Sequence, residues 1–370
     1  MTRLTPKTSA QFFTAIIRAA ILALFVVCFG TSVAFARINA YVVNASDGTV
    51  SVINTSNNKV TATIAVGGSP QGIAVTPNGD RVYVANEGDH NVSVIDTVSN
   101  TVIATVAVGL FPVQLAVTPN GAFVYVCNLN SDNVSVISTV TNTVVATLPN
   151  LSDPFAIAFT PDGTRAYISL DRGLFDGDAV AVIDTATNTV VATIDVASAG
   201  LIAITPDGAF AYVTTSFFPL TNFTVIDTAT NTVVATPFAG TNLFGIDITP
   251  DGAFAYIGHI FRDNVSVVST ASNTVVADIT VGPSPMGIAV MPNGELVYVV
   301  TQENSSVAVI STATNTVVET IPVGFNPGFI VIAARRHGPT AVNQCQNDGW
   351  KDFSNPSFKS QGECISFVND

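Results

Sequence analysis

Side chains able to carry chemistry are sparse in this sequence of 370 residues. Its three histidines, His90, His259 and His337, have no partner at a spacing that would build a metal site or a Ser-His-Asp triad. Loop stretches such as Ser131-Asp132-Asn133 and Arg262-Asp263-Asn264 offer the oxygen ligands that calcium takes, although Asp and Asn also open strands for turn reasons. No glycine-rich phosphate loop and no G-x-S-x-G elbow occurs. Cys345 and Cys364 bracket a tail, QCQNDGWKDFSNPSFKSQGEC, that holds the only tryptophan, Trp350, while Cys127 lies in an apolar run and reads as a small buried residue. These residues predict no catalytic set, no metal site and no resident cofactor, with calcium as the one ion the loops could hold.

Composition narrows the classes further. Hydrophobic residues make up 48% of the chain and charged ones 11%, which sets aside disordered chains and coiled coils, both of which need far more charge. A net charge of −13 and a pI near 4.4 set aside a nucleic-acid surface or an anionic-lipid surface. Residues 1–36 carry Arg3, Lys7 and Arg18, then an apolar run from Ala19 to Phe35 that ends in Ala34-Phe35-Ala36, an A-x-A cleavage pattern. They read as a secretory signal peptide, with an uncleaved membrane anchor as the alternative, and no second apolar span follows. Cys28 lacks the small residues expected before a lipid-modified cysteine. Cleavage would leave 10 basic against 26 acidic residues, about −16, on a secreted, periplasmic or cell-surface protein. In that setting a Cys345–Cys364 disulfide is expected, and closing a loop of about 20 residues contributes on the order of 3 kcal/mol.

The elements that would position any site come from an internal repeat. All seven tyrosines, Tyr41, Tyr83, Tyr125, Tyr167, Tyr212, Tyr256 and Tyr298, hold one position in it, at spacings of 42, 42, 42, 45, 44 and 42. Each unit has four short apolar runs separated by turn chemistry, the pattern of antiparallel strands. Asn58, Asn100, Asn142, Asn188, Asn231, Asn273 and Asn315 recur in the turn between the second and third runs, where asparagine tolerates the left-handed backbone a tight hairpin needs. The fourth run ends in T-P-[ND]-G, as at Pro77-Asn78-Gly79 and Pro161-Asp162-Gly163. Four strands at a period near 42 predict an all-β, seven-bladed propeller of four-stranded antiparallel blades. The first unit lacks its fourth-run strand and the last unit has one to spare, Pro327–Ile332, so the C-terminal strand is expected to pair beside the Tyr41 strand and close the ring. The predicted organisation is a signal peptide over 1–36, a propeller over 37–334 and a tail over 335–370.

The repeat resembles the YVTN-type β-propeller family, through Tyr83-Val84-Ala85-Asn86, Tyr125-Val126-Cys127-Asn128, the V-x-V-I-D-T strand, the T-N-x-V hairpin and T-P-D-G, over roughly residues 38 to 333. Asp96, Asp184 and Asp227 keep the family's aspartate, while Asn54, Ser138, Ser269 and Ser311 replace it. The resemblance implies an exported or surface-layer protein of a prokaryote and no particular reaction. The tail resembles cysteine-paired segments appended to other secreted bacterial proteins, which fits an interaction module or a stapled cap equally.

By resemblance to propellers, the P-x-G-I-A-V strand is innermost, and its Gly72, Ala74, Ala116, Ala158, Ala203 and Ala289 suit a crowded axis. Loops before that strand and after the Tyr strand then share one face, where propellers usually bind. Both long repeats place their insertions there, Asp171–Asp178 with Phe175 and Ser216–Asn222 with Phe217 and Phe218. Loops before inner strands add Phe111, Phe155, Phe244, Met286 and Phe325. These side chains form either a contact patch or a cover over the channel mouth. Asp247 stands where most units carry Ala and is expected to point a carboxylate into the channel. The function expected is a non-enzymatic, exported binding or cell-surface scaffold, whose partner is a protein or a cell-surface glycan and not a nucleic acid. Two other readings are a lactonase-like propeller hydrolase or lyase with a metal in the channel mouth, and a structural surface-layer subunit.

Overall fold

The computed structural model describes residues 38–170, 178–215 and 222–335, together with 346, 360 and 361. The chain divides into two units, Met1–Ala36 and Arg37–Asp370, and every described residue belongs to the second. The expected leader, the insertion rings Phe175, Phe217 and Phe218, and the cysteines Cys345 and Cys364 lie outside the described residues.

The Val-, Ile- and Thr-rich runs form 28 strands in seven antiparallel sheets of four. In blade 2 the strands, from axis to rim, are Pro70–Val75, Arg81–Asn86, Asn91–Asp96 and Thr101–Ala107, and blades 3 to 7 repeat that order. Blade 1 is the composite one. Its inner strand is Pro327–Ala334, paired antiparallel with Ile38–Asn44 so that Tyr41 faces Val331, and Thr49–Asn54 and Lys59–Ala65 follow outward. The first and last described strands thus close one sheet, and unfolding either end must open the ring. Arg335, directly after the closing strand, fastens it to blade 2 through Asp80 at 3.1 Å.

The core sits between blades. Seven apolar clusters fill the seven interfaces, and every Tyr is fully buried in one of them. Each phenol then donates to the hairpin asparagine of the next blade: Tyr41 to Asn100 at 2.8 Å, Tyr83 to Asn142 at 3.3 Å, Tyr125 to Asn188, Tyr167 to Asn231 at 2.6 Å, Tyr212 to Asn273 at 2.5 Å, Tyr256 to Asn315 at 3.2 Å. Tyr298 completes the circle on Asn58 at 2.6 Å. Burial pushes the phenols of Tyr83, Tyr125 and Tyr256 up, and those of Tyr167, Tyr212 and Tyr298 up to about 12, so they remain donors. All seven asparagines are left-handed, with φ between 52 and 57°, which turns their side-chain oxygens toward the neighbouring blade while the hairpin closes. Where the second strand keeps Asp at its end, as at Asp227, its carboxylate accepts the Thr230 N–H and hydroxyl, which hold it below the usual carboxylate range.

Two glycines show how tightly the ring closes. Gly79, at φ +72°, makes the turn after the inner strand of blade 2 and lies against Ala334 of the closing strand, leaving no room for a Cβ. At the axis a Cβ on Gly245 would stand 1.8 Å from the Met286 carbonyl oxygen of the next inner strand.

Candidate functional site

On the upper face of blades 1, 2, 3, 6 and 7 the loop before the inner strand and the loop after the Tyr strand hydrogen-bond each other. Glu87 N donates to Ser69 O, Leu129 N to Phe111 O, Ile260 N to Asn242 O and Gln302 N to Ser284 O. The residue before the inner-strand proline, or before its equivalent, is left-handed in each blade: Ser69, Phe111, Asp153, Ser198, Asn242, Ser284 and Asn326, with φ between 41 and 59°. Six are short polar residues that tolerate this conformation. Phe111 is not, and a bulky residue held there stores strain of about 1 kcal/mol or more. Its ring lies 5.4 Å from that of His90, whose Nδ1 accepts the Phe111 N–H at 3.3 Å. Leu110 beside it is half exposed, at 50%, and Phe325 on blade 1 is 70% exposed.

Of the two loop acids that could hold calcium, Asp132 accepts the Asp153 N–H at 3.0 Å, as Asp89 accepts the Gly68 N–H at 2.8 Å and Asp47 the Phe325 N–H at 2.8 Å in the corresponding loops. Asp263 contributes its main-chain carbonyl, which accepts the Val281 N–H at 2.8 Å. Among the described residues no three His, Cys, Asp or Glu side chains converge as metal ligands.

The expected aromatic set divides. Phe155 and Phe244 turn inward, where their ring centres are 6.2 Å apart, and Phe244 lies 5.9 Å from Phe329. These rings come from blades 4, 6 and 1, which are not neighbours, so they meet across the channel and stopper it. Met286 is buried in the cluster that Phe244 packs against. Phe111 and Phe325 are the two of the set that face solvent. Asp247 lies on the inner strand of blade 6 and is half-buried. Its two oxygens accept the N–H of Ile248 and the N–H of Val290, both at 2.8 Å. Val290 belongs to the inner strand of blade 7, so the carboxylate ties two edge N–H groups of adjacent blades rather than standing free in the channel. Burial pushes its carboxyl up to about 6 against those two donors, which favour the ionised form.

A constellation that sequence reading passed over lies in blade 6. In blades 1 to 3 the Tyr strand ends in Asn44, Asn86 and Asn128, whose amides donate to Ser51, Ser93 and Ser135 of the next strand. Blade 6 has His259 there, buried, with Nδ1 3.0 Å from Thr241 O and Nε2 2.8 Å from Ser266 Oγ. Since a carbonyl only accepts, Nδ1 carries the hydrogen and Nε2 is the acceptor. Burial holds the imidazole below its ordinary pKa. Ser266 Oγ also lies 2.6 Å from Asp278 Oδ1, on the outer strand, and its one hydrogen serves one acceptor at a time. The carboxylate approaches the serine and not the histidine, and Ser266 is 1% exposed, so this is not a nucleophile and its base. Asp278 occupies the column that holds Thr63, Thr105, Thr147, Thr193, Thr236 and Thr320 in the other blades. Asp278 breaks a column of six threonines, whereas His259 stands in a variable column that holds Asn in blades 1 to 3 and Leu170, Thr215 and Thr301 in blades 4, 5 and 7; the two flank one serine. Aligning the seven copies would have exposed Asp278.

Among the described residues no helix is long and apolar enough to cross a membrane. The family model described as choice-of-anchor I domain matches residues 24–209. No curated protein matches the chain. Among solved structures, Kuenenia stuttgartiensis hydrazine synthase is similar at 25% identity and TM-score 0.68, over 74% of this chain and 92% of that one. A protein of unknown function from Desulfotomaculum acetoxidans DSM 771 is similar at 19% identity and TM-score 0.68, over 80% and 98%. A putative 6-phosphogluconolactonase from Bacteroides uniformis ATCC 8492 is similar at 17% identity and TM-score 0.67, over 80% and 99%.

Proposed function

The chain belongs to the choice-of-anchor I domain family, and from that membership we propose that it is an exported, surface-associated propeller that binds a protein partner through its upper face. The observation that carries this reading is Phe111, a large ring held in a left-handed position that the other six blades give to Ser, Asp or Asn. A strained, solvent-facing aromatic is a cost without a folding benefit, and exposed rings at a loop cluster are the usual anchors of protein contacts. Leu110 adds exposed apolar surface beside Phe111, Phe325 presents a second exposed ring two blades away, and the loops of the same face carry Asp47, Asp89 and Asp132, which suits a partner with basic residues at its rim. We read the repeat itself as YVTN-type and residues 1–36 as the export signal, and we assign no reaction. Proteins described as enzymes share the fold, so the fold is silent on catalysis. Here three phenylalanines fill the channel mouth in which the metal-dependent alternative requires ligands.

The test is co-sedimentation of the mature protein with the envelope of the producing cell. The double variant Phe111→Asn with Phe325→Ala is expected to weaken it at least tenfold without lowering the melting temperature. Unchanged co-sedimentation of that variant contradicts the reading.

A further inference from the structure

Blade 5 departs from the repeat at its rim. The outer strands of the other six blades run for seven residues, but that of blade 5, Thr232–Ala235, stops after four. Pro237 stands where the others carry a buried Ile64, Val106, Leu148, Ile194, Ile279 or Ile321. Proline has no N–H for the ladder, and its short ring fills less of the cleft between blades. Phe238 turns outward, 68% exposed. What remains is a groove of about 540 Å³ between Pro237–Gly240 and the outer strand of blade 6.

The residue that breaks the threonine column in blade 6 lies along this groove. Asp278 and His259 line it together with Asn264 and Arg262, opposite Phe238. Asp278 Oδ1 accepts from Ser266 at 2.6 Å and from Asn264 at 3.1 Å, which fixes the carboxylate at the groove. Arg262 is exposed and makes no ion pair among the described residues. A proline in place of an aliphatic residue in one blade and His259 and Asp278 in the next thus converge on a single concavity.

We propose that this groove is a saccharide-binding site. An exposed phenyl ring offers a flat apolar surface to the C–H face of a pyranose. Carboxylate, amide and guanidinium groups opposite it supply both acceptors and donors, which is what hydroxyls need, since each hydroxyl is both, while the buried His259 backs the groove with both ring nitrogens already bonded. The opposite charges of Arg262 and Asp278 suit a neutral polyhydroxylated ligand better than an ion. A peptide added as a strand would require a continuous ladder edge, and Pro237 interrupts it. The site is independent of the upper-face reading and uses none of its residues.

The experiment is saturation-transfer NMR on the mature protein with di- to tetrasaccharides of glucose, galactose, mannose and N-acetylglucosamine, followed by titration of those that respond. At least one is expected to bind. Phe238→Ala and Asp278→Thr, the latter restoring the residue of the other blades, should each weaken it at least tenfold with unchanged melting temperature, while Phe111→Asn binds it as the parent does. Absence of binding across the panel overturns the proposal, and so does binding by both groove variants within twofold of the parent.

Discussion

The ring of tyrosines and the junction of blades 5 and 6 are built from the same repeat and obey it to opposite degrees. In the ring, seven phenols meet seven left-handed asparagines, one pair per interface, and no blade is exempt. At the junction, proline replaces a buried aliphatic residue and aspartate a threonine, and a histidine stands in a variable column, all around one groove. A repeat protein carries its own control for each position. Where a column is uniform its residue serves the interface between blades. Where a column is broken, and the break lies beside another break, the residue serves something outside the fold.

That contrast can be pressed hardest at the axis. Gly245→Ala would drive a Cβ into the Met286 carbonyl, and the inner strands of blades 6 and 7 would have to part, a loss of about 3 kcal/mol or more in urea unfolding. A loss under about 1 kcal/mol would mean the axis is looser than the geometry states. Asp247, a broken column inside the framework, is next. Its unfolded carboxyl releases a proton near pH 4, the native one near 6, so the native state holds the proton longer and stability falls as pH rises through that window. Relative to Asp247→Ala, the parent should lose up to about 3 kcal/mol between pH 4 and pH 7. A constant difference would remove the burial argument. Tyr→Phe at any one interface should cost about 1 kcal/mol, with similar values for Tyr83, Tyr167 and Tyr256, because each removes one net hydrogen bond. One dominant tyrosine would break the claim of equivalence. Smallest is Phe111→Asn, which should raise stability by about 0.5 to 1 kcal/mol as the left-handed strain is relieved.

Much of the framework was legible in sequence. Recurrent tyrosine spacing located the strands, Asn58 and its six counterparts located the hairpins, and the missing first strand predicted closure by Pro327–Ile332, which is observed as the strand Pro327–Ala334. The bond between Tyr and Asn was not legible, because the two residues lie about sixty positions apart and each already had a sufficient local reason to recur. The channel stopper was hidden for a related cause: Phe155, Phe244 and Phe329 come from blades that are not adjacent, and ring proximity across an axis leaves no periodic trace. Asp247 was expected to point a carboxylate into the channel, whereas its engagement with the Val290 N–H depends on the neighbouring strand's register. His259 was weighed against His90 and His337, residues of its own type, when the informative comparison was with Asn44, Asn86 and Asn128 in its own column.

The most direct measurement restores the repeat where it is broken. A variant carrying Phe111→Asn, His259→Asn and Asp278→Thr should unfold at a urea midpoint equal to or above that of the parent, while losing envelope co-sedimentation and saccharide binding together. A variant that is less stable than the parent and keeps both interactions would show that the broken columns serve the fold, and would contradict the account.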